Sequence, residues 1–230
     1  YEMTSSLVGS EMCIRDRDGV ILDSEKLYVR FWCEAGRFYG FPMEEKHALS
    51  IRSMARPLAS AKLKGIFGNG FDYEAVHSKR VELMDNYVEK NGIEVKSGAK
   101  ELLSFLKENG YKVALATATP PQRAERYLKA HDLYKYFDVT VSASMVSVGK
   151  PAPDIYLKAA EMLGLSPQNC VALEDSPNGI KSASSAGCVT VMVPDLDKPS
   201  NDIIPLLHGV ADGLSDVKRI LRELEDCNIQ

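Results

Sequence analysis

From Ser97 onward, short and nearly unbroken apolar runs alternate with segments of helical period, and this alternation narrows the fold more than any other feature of the chain. Residues 112–117, 137–142, 170–173 and 189–193 read as strands. Residues 98–109, 119–131, 153–163 and 177–186 read as helices, and 214–224 as a closing amphipathic helix. Thr119 is expected to open its helix, with Pro120 in the first turn and Gln122 completing a capping box. Strands alternating with helices build βαβ units. Strands that are apolar on both faces belong to a mostly parallel sheet covered by helices on each side.

The stretch before Ser97 has a different character. Between Glu25 and Lys90 no strand pattern occurs, and four helices are expected at 24–40, 43–49, 57–66 and 72–90. Ser24 and Asp72 are N-cap residues by type, and Glu25 suits the first turn of a helix dipole. Leu27, Phe31, Cys33, Ala35 and Phe38 form one apolar face, and Phe31, Trp32, Phe38 and Tyr39 are expected in the core of this block. Before it, Glu11 to Arg15 supplies a short first strand. The chain is therefore expected to hold an α/β core made of residues 1–23 and 91–230, with a helical cap domain, 24–90, inserted after the first strand. The run Met3 to Ser10 carries neither helix nor strand period nor a signal-peptide pattern, and residues 1–15 are expected to be non-native or disordered.

Bulk properties exclude several functions. A formal net charge of −4 does not suit a surface that tracks nucleic-acid phosphates. The five cysteines are odd in number and widely spaced, which argues against a disulfide framework or zinc knuckle and for reduced thiols in a cytoplasm. No apolar run is long enough to span a bilayer. The four histidines have no metal-ligand spacing and read as structural.

In open α/β sheets, ligands bind beyond the carboxyl ends of the strands. The polar residues expected there are Asp16 and Asp18, Thr117 and Thr119, Lys150 in Gly149-Lys150-Pro151, and Glu174-Asp175-Ser176. Four carboxylates gathered at one rim repel one another unless a cation joins them. Magnesium suits a few carboxylates with water and a phosphate, whereas zinc would call for histidine or cysteine. A lysine and a hydroxyl beside such a site suit a phosphoryl dianion.

These residues carry a resemblance. Asp16-Arg17-Asp18-Gly19-Val20, the strand end Leu115-Ala116-Thr117, Lys150-Pro151, and Glu174-Asp175-Ser176 followed by Gly179-Ile180 are similar, in order, to the four motifs of haloacid dehalogenase-type phosphohydrolases, in the subfamily of β-phosphoglucomutase and related sugar-phosphate phosphatases. The resemblance implies a Rossmann-like core and a magnesium-dependent phosphatase acting on a small phosphate monoester, as a monomer without nucleic-acid or membrane partners. By position it implies Asp16 as nucleophile, Asp18 as acid and base, Thr117 and Lys150 as phosphate ligands, and Asp16, Asp18, Glu174 and Asp175 as magnesium ligands. Arg52 and Arg56, in the cap, would either read the substrate or lie on solvated surface. Tyr28 stands where phosphomutases of this family carry a histidine, which favours hydrolysis over a β-phosphoglucomutase-type phosphomutase. The short first strand and Arg17 between the aspartates leave a catalytically impaired phosphate-binding member as a further reading.

Overall fold

The computed structural model describes residues 13–15 and 19–227, with side chains from 19 to 224. The expectations for Asp16 and Asp18, and for residues 1–12, lie outside the described residues.

Six strands form one parallel sheet in the order β3-β2-β1-β4-β5-β6. They are β1 (Cys13–Arg15), β2 (Val113–Thr117), β3 (Val139–Ser142), β4 (Val171–Glu174), β5 (Val189–Met192) and β6 (Gly209–Val210). The short β1 is central, with Cys13 in register with both Val113 and Val171. The chain first builds outward from β1 through β2 to β3, then returns to place β4 on the other side of β1. Such a reversal opens a crevice at the carboxyl ends of the central strands.

The strands sort their side chains by size. Val113, Leu115, Val171 and Leu173 face one way, where α5 (Ala99–Glu108) and α9 (Leu214–Cys227) cover them through Leu102, Leu106, Val217 and Leu221. Ala114, Ala116 and Ala172 face the other way. Small residues there let α7 (Asp154–Leu163) bring Ile155, Tyr156 and Ala159 close to the sheet, beside Ala183 of α8 (Pro177–Ser185). Each fully buried Leu or Val side chain contributes about 1.5–3 kcal/mol.

Four helices lie between β1 and α5: α1 (Glu25–Phe38), α2 (Glu45–Leu49), α3 (Arg56–Phe67) and α4 (Tyr73–Asn91). They enclose their own apolar cluster, including Trp32, Met43, Ile51, Leu63 and Phe71. The two connections to this block lie against each other. Leu22 and Val95 form an antiparallel bridge, flanked by Asp23 N–H donating to Glu94 O at 2.9 Å and Lys96 N–H donating to Ile21 O at 2.9 Å.

The structure departs from the sequence expectations in three places. Phe38 is 65% exposed and Tyr39 44% exposed, so neither belongs to the helical core. Phe38 lies in the last turn of α1 with Lys79 Nζ 4.7 Å from its ring centroid. Helix α6 (Pro121–Ala130) begins two residues later than expected, with Pro120 at its N-cap. The Thr119 N–H is held back by Thr117 Oγ1, which accepts it at 3.0 Å. Finally, β6 is two residues long, too short for an alternation to show. Among the described residues no helix is long and apolar enough to cross a membrane.

Candidate active site

Beyond the carboxyl ends of the central strands, the described residues form two charged clusters. The first is built on Glu174, the last residue of β4, which is 0% exposed. Its Oε1 accepts a hydrogen bond from Lys150 Nζ at 2.5 Å and another from the Tyr156 hydroxyl. Lys150, 3% exposed, lies 5.3 Å from the centroid of the Tyr156 ring. The Ser176 hydroxyl donates to Glu174 Oε2 at 3.4 Å and accepts the Gly179 N–H at 3.1 Å, so the residue that caps α8 also touches the carboxylate. An anion there benefits from the helix N-terminus. A Cβ on Gly179 would overlap the Glu174 carboxyl, so only glycine fits against it.

The second cluster surrounds Arg52, which follows α2 and is 2% exposed. Its Nη2 donates to Asp175 O at 3.1 Å and to Asp197 Oδ2. Nη1 lies 3.5 Å from Asp175 Oδ2, and Nε lies 3.6 Å from Glu25 Oε2. Burial opposes the guanidinium charge, but the carboxylates of Asp175, Glu25 and Asp197 outweigh it and raise the Arg52 pKa. The neighbouring backbone is tied down as well. Asn178 Nδ2 donates to Arg52 O at 2.8 Å, and the Ala55 N–H donates to Lys150 O at 3.0 Å. The loop carrying Arg52 is thus seated on the strand-end rim. Arg52 is buried rather than solvated, whereas Arg56, at the start of α3, is exposed and lines both clefts described below.

Gly19 packs against the same cluster. Its φ of +78° lies in the left-handed region, and a Cβ there would overlap the Asp175 carboxyl. Asp175 therefore carries a buried carboxylate with backbone on one side and Arg52 on the other. That donor fits a hard divalent cation, which takes oxygen ligands. Glu174 directs its carboxyl to Lys150 and Tyr156. Among the described residues no three His, Cys, Asp or Glu side chains gather as a complete metal cluster.

Two clefts open between the helical block and the strand ends, meeting at Ser53, Met54 and Arg56. The larger, about 400 Å³, reaches Lys150 and is walled by Met54, Pro120, Val146 and Ile155. The smaller, about 100 Å³, is basic, with Arg56, Arg80, Arg123 and His77 beside Tyr28 and Thr119. Thr117, fully buried at the end of β2, sits below the Ala118–Pro120 turn that borders both clefts. On the far side of the smaller cleft, Asp85 of α4 accepts from Arg123 at 3.0 Å, Arg126 at 3.2 Å and the Tyr127 hydroxyl at 2.8 Å, joining α4 to α6.

His77 is the one expected structural histidine that lines a cleft. Its Nε2 lies 3.1 Å from Arg80 Nη2; since arginine only donates, Nε2 is the acceptor. Burial first, and then Arg80, Arg56 and Arg123, lower its pKa to about 3 from the ordinary 6.5. Between those values the unfolded chain binds a proton that the folded chain does not, so stability falls as pH drops below about 6.5. Near pH 5 the loss is on the order of 1–2 kcal/mol. Urea unfolding at pH 7 and pH 5 should show it, and His77→Gln, which keeps the acceptor without the titration, should reduce the difference by that amount. An unchanged difference would refute the assignment.

The structure thus brings Lys150 against Glu174 and Arg52 against Asp175, and sets Thr117 at the end of β2, across β1 from them. Sequence reasoning missed Tyr156, Asn178, Asp197 and Asp85. Tyr156 lies six residues after Lys150 in an ordinary amphipathic helix, and nothing local marks it. Asp197 and Asp85 act across 145 and 38–42 residues of chain, which no local pattern reveals.

The haloacid dehalogenase-like hydrolase family matches residues 11–187. The chain is 33% identical over 219 residues to the phosphorylated carbohydrates phosphatase of Thermotoga maritima, a match covering 92% of this chain and 90% of that one. It is 33% identical over 204 residues to hexitol phosphatase A of Escherichia coli, covering 85% and 89%. The crystal structure of a β-phosphoglucomutase from Clostridium difficile superposes with a TM-score of 0.78 at 23% identity, covering 96% of this chain and all of that one, and at this identity it establishes the fold. CbbY from Rhodobacter sphaeroides, solved in complex with phosphate, gives 0.76 at 25% identity, covering 90% and 96%.

Proposed function

The chain belongs to the haloacid dehalogenase-like hydrolases, and on that footing we propose that it is a magnesium-dependent phosphatase of a small phosphorylated carbohydrate. The observation that carries this reading is Lys150: a buried ammonium, fixed by Glu174 and Tyr156, that reaches the wall of a cleft large enough for a sugar phosphate. The Thermotoga and Escherichia relatives, named for phosphorylated carbohydrates and hexitols, support the substrate class.

In this reading Asp16 attacks phosphorus and forms an aspartyl-phosphate, while Asp18 gives a proton to the leaving sugar alkoxide. Asp18 then removes a proton from the water that hydrolyses the intermediate. Lys150 and the Thr117 hydroxyl hold the phosphoryl oxygens. Asp175, with Asp16 and Asp18, would hold magnesium, which when bound offsets the phosphoryl charge. Glu174 acts chiefly by fixing Lys150. The helical segment 24–90 serves as the cap over the core of 1–23 and 91–230, and Arg56 meets the sugar end of the substrate. Tyr28, lining the smaller cleft, favours water over a second sugar as the phosphoryl acceptor.

The test is phosphate release from a panel of hexose, hexitol, pentose and nucleoside monophosphates, with magnesium and with a chelator. Turnover of sugar or hexitol phosphates, abolished by the chelator and restored by magnesium, is expected. Indifference to the chelator, or no turnover across the panel, would overturn the reading.

A further inference from the structure

We propose that the Tyr156 hydroxyl is a positioning group for the phosphate site: it shares the Glu174 oxygen that Lys150 uses, limits the carboxylate's hold on the ammonium, and so leaves Lys150 able to engage a phosphoryl group. The inference rests on the reading above that Lys150 binds phosphate.

A lysine paired with a buried carboxylate has divided duties. A phosphoryl group calls for a donor that carries positive charge. A carboxylate in contact with that donor competes for it, and charges attract more strongly where water is excluded. Lys150 Nζ lies 2.5 Å from Glu174 Oε1, and both side chains are buried. The main chain around the lysine is tied down. Lys150 O accepts the Ala55 N–H at 3.0 Å, and Asp154 Oδ1 accepts the Val148 N–H at 3.2 Å, which joins the loop before Lys150 to the start of α7. How well the ammonium can serve a phosphoryl group therefore depends on how strongly Glu174 holds it.

Tyr156 acts on both partners. It stands in the first turn of α7, six residues after Lys150, and is fully buried. Its hydroxyl donates to Glu174 Oε1, the same oxygen that Lys150 reaches. The centroid of its ring lies 5.3 Å from Lys150 Nζ. A hydroxyl donor stabilises the charge on the oxygen it bonds and makes that oxygen a weaker acceptor for the lysine. The ring face attracts the ammonium from another direction. Phenylalanine would supply the same ring, so the hydroxyl alone distinguishes tyrosine here. Its removal should tighten the Lys150–Glu174 pair and weaken phosphate binding. A hydroxyl that merely braced the site would act independently of the Glu174 charge.

The test is the affinity of the whole chain for inorganic phosphate, measured by calorimetry at neutral pH with a chelator present. Tyr156→Phe should bind phosphate roughly fivefold more weakly than the parent. In a Glu174→Gln background the same substitution should change affinity by less than about twofold, because the charge through which the hydroxyl acts is gone. Site-specific replacement of Tyr156 by 3-fluorotyrosine, which keeps the hydroxyl and makes it a stronger donor, should instead tighten phosphate binding. This last arm stands even if either substitution prevents folding. Unchanged or tighter binding in a folded Tyr156→Phe, an equal loss in both backgrounds, or unchanged or weaker binding with fluorotyrosine would overturn the inference. Phosphate binding that is absent from the parent, or kept at full strength in Lys150→Met, would instead overturn the reading of Lys150 on which it stands.

Discussion

Lys150→Met should lower the unfolding midpoint by about 10 °C and reduce phosphatase turnover by about 10²–10³-fold. The stability effect follows from Glu174. Its carboxylate is fully buried, and Lys150 is the cation bonded to it at 2.5 Å. Removing one partner of a buried pair costs about 3–5 kcal/mol, because the other charge stays behind without compensation. In a chain of this length each kcal/mol moves the midpoint by roughly 2–4 °C. The activity effect is separate, being the loss of one fixed donor to a phosphoryl group that gains negative charge. A double-mutant cycle separates the two. Lys150→Met with Glu174→Gln should recover most of the stability, since no lone charge remains, and none of the turnover. A single Lys150→Met that loses less than about 1 kcal/mol in urea unfolding would contradict the pairing.

Gly19→Ala should abolish magnesium-dependent turnover, by about 100-fold or more, while leaving the chain folded. Two penalties coincide at this position. The left-handed φ of +78° costs an alanine roughly 1–2 kcal/mol, and the new Cβ would overlap Asp175 Oδ2 well inside the 3.0 Å that real Cβ atoms keep. Asp175 cannot simply swing away, because Arg52 holds both its carbonyl and its carboxylate. A ligand displaced by about 1 Å can cost 10²-fold in rate. Gly110 provides the matched control. It has the same φ of +78° but nothing within 4 Å of an added Cβ, so Gly110→Ala should show the backbone penalty alone and keep full activity. Equal turnover in the two variants, measured at saturating magnesium, would mean that Asp175 does not act in the reaction.

Much of this geometry was legible in the sequence because the signals are local. Period and apolar content placed β2 to β5, since a buried parallel strand has to be apolar on both faces. The rim residues Thr117, Lys150, Glu174 and Asp175 were legible because strand ends in this architecture converge. What escaped was pairing over long sequence distances. Nothing near Lys150 says that its carboxylate partner is Glu174 rather than a ligand of its own, and nothing near Arg52 says that it is buried. An arginine in a polar loop reads as surface until the three carboxylates around it are known. Phe38 shows the converse error. A helical stripe predicts burial only where a neighbour covers it, and at the end of α1 Phe38 has the Lys79 ammonium over its ring and stays exposed.

The paired connections at Leu22 and Val95 have a consequence for how this protein can diversify. Because the chain leaves and re-enters the sheet layer at one point, zipped by hydrogen bonds on both sides of a single bridge, the helical block behaves as a cassette on one axle. Thr117 and Lys150, proposed above to hold the phosphoryl group, lie on one side of that axle, and Arg56, Tyr28 and His77, which line the clefts, lie on the other. A lineage can therefore exchange the cassette, or change its length, and recruit new substrates without redesigning the catalytic rim. The constraint on each new cassette would be a short one: two strand residues to close the axle, and one cation positioned to meet the rim.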